Sequence, residues 1–595
     1  MQWLSVVATL PPRLGACSVL LVAAVASACA SGTPAAEDAG VALLDARPPP
    51  ALRGDGTWLA SVTLPAPLDP LPGHAFVDDP PFETHDACGR CHTAEAGSRA
   101  NLDEAGRDVG AVTLWRPSMM ALSARDPYWL AVFGHELEAN PRAATLVSST
   151  CTRCHAPAAH EARGPADPIG LDAIARSTDD DATLARDGVT CTLCHQMSAE
   201  GLGAEASFTG GFAIDDGMRI YGPHASPNAR NMTTATGYTA TEGAHVMRSA
   251  ACATCHTVIT RALDERGEPT GPPFPEQVPY LEWRNSAYQD EEDPGPEAAS
   301  CQDCHVPPRS ADGEPLSVIL SPRPATLEPR SPFGRHTFAG ANAYMLDLLA
   351  DHAAWLGAAA TPEGLRAASD ESEATLRSAV TLSLEVHVVE GTLVGLVHLE
   401  NHAGHRFPTS YPTRRAFVRF TIEGADGGVL FRSGRTDEAG GLVDADGARL
   451  DYPGSLSPHY QVVQAQDQVQ VYEAVMGDAD GRVTHALLRA TRYLKDDRLL
   501  PRGWSETHPD AARTAPVGTD DDPDFAPGRD TVRYQVPLPA GAARVRAELV
   551  YQSLPPAAVE HLFEHPTAAA ARLDAMRRAR PDEGRVVASD DAPLP

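Results

Sequence analysis

Basic residues are in short supply: 48 Lys and Arg stand against 79 Asp and Glu in 595 residues, a formal net charge of -31. A surface this poor in positive charge does not hold a phosphate backbone, which excludes nucleic acid as a partner. The same acidity suits an exported protein that must stay soluble, or one that docks on a basic partner. Long apolar runs are missing as well. Beyond the N-terminal segment no stretch reaches the roughly 20 apolar residues of a membrane-spanning helix, so no span is expected there. Cysteine is sparse, at 12, far from the density of a small disulfide scaffold. The acidic turns Asp444-Ala-Asp-Gly447, Asp478-Ala-Asp-Gly481 and Asp520-Asp-Asp522 lack the terminal Glu of a full calcium loop and read as plain turns.

What cysteine there is falls almost wholly into one pattern. Cys88-Gly-Arg-Cys91-His92, Cys151-Thr-Arg-Cys154-His155, Cys191-Thr-Leu-Cys194-His195, Cys252-Ala-Thr-Cys255-His256 and Cys301-Gln-Asp-Cys304-His305 repeat one five-residue signature. Random placement of these residues would give on the order of 0.01 copies in such a chain. Two thiols three positions apart can become thioethers to the two vinyl groups of one haem, and the adjacent His can supply the proximal nitrogen to its iron. A zinc site also uses C-x-x-C, but it would pair the motifs two by two, and five is odd. The sequence therefore predicts five covalently bound haem c groups.

Only Cys17 and Cys29 remain, both in the N-terminal segment, where Arg13 precedes an apolar run from Leu14 to Ala26 and Ala26-Ser27-Ala28 stands before Cys29. This reads as an export signal over residues 1-28, of the lipoprotein type. Cleavage after Ala28 discards Cys17 and puts Cys29 first, where it carries a lipid and anchors the protein to a membrane. Ordinary secretion fits the A-x-A site too, but would strand one thiol in an oxidising compartment. The expected location is the periplasm or outer membrane of a Gram-negative bacterium.

Residues 29-60, rich in Ala, Pro, Gly and Asp, read as a flexible tether. Residues 61-345 form the pentahaem part, with helical patterns such as Ser118 to Asn140 between Gly- and Pro-rich loops. A helical connector, with a domain boundary at the acidic stretch Ser369 to Ala374, occupies 346-376. From 377 to 555 the pattern alternates. Val380, Leu382, Leu384, Val386 and Val388 interleave with polar residues, and strand-like runs follow over Leu393 to Glu400, Ala416 to Ile422, Val429 to Ser433, Gln461 to Met476, Arg482 to Tyr493, Thr531 to Leu538 and Arg544 to Ser553. Eight short strands suggest an antiparallel β-sandwich. Residues 556-595 read as a terminal helix, Ala557 to Arg580, and a frayed tail. The expected fold class is multidomain: a mostly α and irregular multihaem domain followed by an antiparallel β-sandwich.

Several runs carry a family resemblance: Trp115-Arg-Pro-Ser-Met-Met-Ala121 with Ala124-Arg-Asp-Pro-Tyr-Trp129, Asp187-Gly-Val-Thr-Cys191, Tyr221-Gly-Pro-His224, and Glu276 to Trp283 before the fifth motif. Over residues 80 to 350 the chain resembles bacterial exported multihaem cytochromes of the group related to cytochrome c-554 and hydroxylamine oxidoreductase. It has five motifs where cytochrome c-554 has four, and no equivalent of the tyrosine cross-link of hydroxylamine oxidoreductase. Asn401-His-Ala-Gly-His405-Arg-Phe-Pro-Thr409 with Arg414-Arg415 resembles segments of large multihaem cytochromes with a C-terminal domain. Such a loop can bring His405 to a haem iron and its guanidinium groups to propionates, or can simply be a loop His capped by backbone.

The ligand opposite each proximal His decides the chemistry. A second His gives a saturated electron carrier, and an open position admits a small molecule. Outside the motifs this half of the chain offers His74, His85, His135, His160, His224, His245, His336 and His352. His85, His160, His224, His245 and His336 are the preferred distal ligands, and Met119 and Met120 are thioether alternatives that more often pack as core. At least four haems are expected to have two His ligands, with the first motif as the exception if there is one. The function expected is electron transfer between redox partner proteins. The alternative is an oxidoreductase acting on a small nitrogen or sulfur compound at one open haem, and a third reading makes the C-terminal sandwich a docking module.

Overall fold

The computed structural model describes residues 74-215, 217-565 and 567-594. The export signal, Cys29 and the tether lie outside them. Among the described residues no helix is long and apolar enough to cross a membrane.

The first half is built from short helices joined by long irregular segments. Helix α1 spans Pro127–Ala139, and the Asp126 carboxylate accepts bonds from the backbone N–H of Tyr128 and Trp129 with Pro127 at the first helical position. That cap explains why the helix starts later than the apolar pattern at Ser118 suggested. Helix α2, Ala144–His155, ends in the second motif. Helices α3, Ala343–Asp351, and α4, Pro362–Ser378, pack together. The acidic stretch expected at a boundary lies inside α4, which Thr361 caps and Pro362 opens. Helix α5, Ala568–Ala579, returns from the C-terminus to pack on α1. It is shorter than the sequence pattern, because the preceding turns Pro556–Glu560 and His561–Phe563 are broken from it before Pro566.

The second half holds β1 Val380–Val389, β2 Thr392–Asn401, β3 Arg415–Gly424, β4 Val429–Ser433, β5 Val462–Val463, β6 Val471–Tyr472, β7 Arg529–Pro537, β8 Ala542–Gln552 and β9 Arg585–Pro593. One sheet runs β4-β3-β8-β9 with β6 also on β3, and the other runs β5-β7-β2-β1. Their inward rows, including Leu393, Val397, Phe420, Ile422, Val532 and Leu549, form one core. Phe420 and Tyr534 stack across it at 3.9 Å between ring centres.

Three features depart from the expected sandwich. The β5–β7 pairing is parallel. The tail read as frayed forms β9, paired along β8, and its Asp590 accepts the Leu384 N–H at 2.9 Å. The long runs at 461–476 and 482–493 shrink to two- to five-residue strands. Gln468 explains the first, since its side-chain oxygen accepts the N–H groups of Gln464 and Ala465 in place of a ladder. In the second, the Leu487 N–H bonds the Glu136 carboxylate of α1 at 2.7 Å, so tertiary contact overrides the strand pattern.

A buried ion network ties the halves together. Glu282, from the helix Pro279–Arg284, accepts the Arg406 N–H at 3.2 Å and faces Arg498 at 3.3 Å. Asp496 takes Arg498 through two bonds of 2.7 Å and also pairs with Arg406. Nearby, Arg284 and Asp510 form a bidentate pair, at 2.8 and 2.6 Å.

Candidate functional site

Each motif sits on, or closes, a helical turn. Helix His85–Gly89 leads into the first, α2 carries the second, and Cys191–Gln196, Ser249–Ala253 and Cys301–His305 carry or start the others. Where the helix formally ends early the turn persists, with His92 N–H on Cys88 O at 2.9 Å and His256 N–H on Cys252 O at 3.0 Å. Positions i, i+3 and i+4 share one face of such a turn, so both thiols and the imidazole of a motif point the same way. The ten thiols are unbridged.

All five faces open into one continuous cavity of about 1810 Å³, lined by every motif Cys and His. One drug-sized ligand needs roughly 300–1,000 Å³, so this space is shaped for more than one. Trp115, Val132, Phe133 and Val147 supply apolar wall, and Arg90, Arg230, Arg323, Arg330 and Arg414 also reach it. The motif histidines have accessible surface because they face this space. Burial nonetheless lowers His92 and His195 and brings His155 and His256 to about 4, so these rings are neutral and carry a free lone pair.

Thiol contacts place the motifs relative to one another. Cys88 touches Cys191, Cys154 touches Cys255, and Cys252 touches Cys301. The first motif therefore adjoins the third, and the fourth adjoins both the second and the fifth.

Two imidazole pairs face each other across the cavity. His195 and His336 have ring centres 6.3 Å apart at 24°, and His305 and His405 have 6.3 Å at 11°. A ring nitrogen lies roughly 2 Å from a transition metal and 1.1 Å from its own ring centre, so two rings on opposite sides of one ion sit about 6.2 Å apart. In all four rings Nδ1 faces a backbone carbonyl: Tyr221 at 2.6 Å for His195, Gly334 at 2.9 Å for His336, Ala339 at 2.6 Å for His305 and Arg406 at 2.9 Å for His405. That bond fixes the tautomer and leaves each Nε2 free to accept a ligand bond. The His405 loop is held by Asn401, whose Nδ2 donates to the His405 carbonyl at 2.9 Å. Of the paired arginines, Arg414 lines the cavity, whereas Arg415 turns away to Asp451 at 2.7 Å.

The other distal candidates are placed differently. His224 and His245 line the cavity, and His245 Nε2 faces the Met197 carbonyl at 2.9 Å. His85 lies off it with both nitrogens engaged, Nδ1 on Asp187 and Nε2 accepting from Arg116 at 3.1 Å. His160 also lies off it, packed with Nδ1 on Thr152 at 3.1 Å. Met119 and Met120 reach the cavity. His155 is stacked on Trp129 at 4.6 Å and 8°, and among the described residues no second imidazole makes ring contact with His92, His155 or His256.

Beside the second motif the cavity wall turns acidic and phenolic. Burial raises Glu136 and Glu276 to about 7, helped in Glu276 by the charge of Glu136. Tyr128 and Tyr411 meet edge to face at 5.6 Å, and both hydroxyls are buried. Of these four, Tyr128 and Glu276 lie in runs the sequence singled out, and Tyr411 stands just before Arg414-Arg415. Glu136 is an ordinary position of α1 by sequence, and only the folded cavity brings the four together.

The residues fit the implied haem groups: two thiols and an imidazole per turn, a largely apolar cavity shared by all five, and two imidazole pairs with ring centres 6.3 Å apart that could hold an ion between them. No protein-family model matches the chain, and no curated protein does. Among solved structures, a penta-heme cytochrome c552 from Thermochromatium tepidum aligns with 17% identity and a TM-score of 0.45, over 81% of this chain and 95% of that one. Likeness at this level establishes neither a shared fold nor a shared function.

Proposed function

We propose that the chain is an exported pentahaem c-type cytochrome that carries electrons between redox partner proteins. The observation that carries this reading is the convergence of five C-x-x-C-H turns on one cavity, with His195–His336 and His305–His405 at 6.3 Å. Bound haem supplies one-electron chemistry. The chain attaches it through ten thiols and holds imidazoles in one tautomer through backbone carbonyls. Its cavity wall is largely apolar, and the motif adjacencies group the first with the third and the fourth with the second and fifth, the two groups meeting where Cys194 and Cys255 pack against one apolar cluster. Lipidation at Cys29 would hold the protein at the periplasmic or outer-membrane surface.

The three motif histidines that, among the described residues, have no imidazole in ring contact, together with the acidic and phenolic wall at Glu136, Glu276, Tyr128 and Tyr411, favour a second reading. One haem on this side would stay open and take a small nitrogen or sulfur compound, with these residues able to hold and pass protons. Carbon monoxide separates the two readings. A reduced spectrum wholly low-spin and unchanged by the gas supports a pure carrier, and a fraction that shifts supports the open site.

A further inference from the structure

His405 reaches the cavity from the β half, on a short loop that leaves β2 at Asn401. Asn401 is 0% exposed, and both polar atoms of its amide are spent on this loop and the chain beside it. Its Nδ2 donates to the carbonyls of His405 at 2.9 Å, Leu499 at 3.2 Å and Leu500 at 3.1 Å, and its Oδ1 accepts the Ala403 N–H at 2.9 Å. Beyond the histidine, Phe407 and Leu499 exchange backbone bonds of 3.0 and 2.9 Å. One buried amide and one backbone bridge therefore clamp the loop on both sides of His405. Burying a whole amide is costly unless its bonds are made, and here they are made to the backbone that carries the ring.

The same loop rests on the chain that leads into the fifth motif. A Cβ on Gly404 would lie 3.2 Å from Cδ1 of Trp283 and 3.3 Å from Cβ of Tyr288, so only glycine lets the loop sit this close. Trp283 Nε1 donates to the Ala299 carbonyl at 2.9 Å, and the Ala299 N–H to the Tyr288 carbonyl at 2.8 Å, two residues before Cys301. Glu282 accepts both the Arg406 N–H and the Thr409 hydroxyl, and the Ser410 hydroxyl donates to Gln277 at 2.8 Å. A loop that served the β half alone would need none of these ties. Of the ten motif cysteines Cys304 alone is exposed, so the fifth motif is the one solvent approaches most nearly. An iron there with its sixth position empty would be the most open to a small molecule.

We propose that the β half is the lid of the fifth haem: it supplies His405 as the sixth ligand, positions it through Asn401, and so closes the iron of the most exposed motif to small molecules. The proposal rests on reading His305 and His405, with ring centres 6.3 Å apart at 11°, as a ligand pair. His405 is the residue that meets the iron, and Asn401 is a positioning residue that acts through the His405 carbonyl. Carbon monoxide can bind such an iron only in the fraction of molecules whose histidine has left it, so its apparent affinity scales with that fraction.

The test titrates the reduced, haem-loaded full chain with carbon monoxide and reads the visible spectrum. His405→Ala should open one haem of five, and added imidazole should return it to the low-spin form. Asn401→Ala should raise the carbon monoxide affinity of that same haem at least tenfold, again reversed by imidazole. The double variant should bind the gas no more extensively than His405→Ala alone, because both changes act on one ligand. Gly404→Val drives side-chain methyls against Trp283 and Tyr288 while leaving Asn401 in place, and should shift the affinity in the same direction. It decides the matter if Asn401→Ala loses the wild-type far-UV circular dichroism. If His405→Ala opens no haem, the ligand pair itself is wrong and the lid falls with it. If His405→Ala opens one haem but the folded Asn401 and Gly404 variants keep wild-type affinity, or if the double variant opens a second haem, the ligand pair stands and the proposal is overturned.

Discussion

Replacing Asp496 with Asn isolates the ion network that joins the two halves. Asp496 is 2% exposed and holds both Arg406 and Arg498, which are 1% and 4% exposed. Burial alone would raise its carboxyl, but the two guanidinium groups outweigh it and hold it below the ordinary value. Asparagine keeps the shape and removes the charge, leaving two buried cations against Glu282 alone. Breaking a buried pair in this way costs about 3–5 kcal/mol, a large share of a usual total of roughly 5–15 kcal/mol. A depressed carboxyl contributes stability above its unfolded-state pKa and loses it as pH falls through the folded one. The gap between wild type and variant at neutral pH should therefore close on acidification. Urea unfolding followed by circular dichroism measures it. A cost near 1 kcal/mol, the level of a surface pair, would refute the claim that this network bears the interface. Because Arg406 follows His405, the variant should also loosen that ligand and raise the carbon-monoxide-binding fraction.

His336→Ala and His405→Ala should each convert one haem of five to a high-spin, carbon-monoxide-binding form with its thioethers intact; a spectrum that stays low-spin would remove the residue from the ligand set. His459 lies between Asp497 and Asp522, at 2.9 Å from each. Burial works against its charge, but Asp497 and the other carboxylates prevail and raise its pKa. Its contribution to stability is full below the unfolded value and is lost as pH rises through the raised one. The decline of unfolding free energy on the alkaline side should flatten in His459→Gln, and an unchanged slope would mean that the ring is not charged. Cys29→Ser should move the protein from the membrane fraction to the soluble periplasm, and an unchanged distribution would favour ordinary secretion.

The motifs were legible because covalent chemistry demands fixed residues at fixed spacing, and the helical turn then brings thiols and imidazole to one face. The β1–β2 hairpin was legible because Glu390-Gly391 punctuates a strict alternation. The tail was not, since Ser589, Asp590 and Asp591 read as solvated polar residues until β8 offers them an edge. Which imidazoles face a motif histidine is the hardest part to read. His336 sits some 140 residues from its facing His195, and His405 comes from the other half of the chain, so only the fold sets them apart from His85 and His160. Those two lie close to motifs in sequence, yet Asp187 and Arg116 have claimed both nitrogens of His85, and His160 lies off the cavity with its Nδ1 on Thr152.

The central claim is that all five turns attach haem. Intact mass spectrometry of the mature protein, made in a host with a haem-ligation system, tests it directly. Five haem increments on the polypeptide are expected, stable to denaturation and acid because the thioethers are covalent. Four increments or fewer, or a protein that carries zinc on its thiols instead, would contradict it.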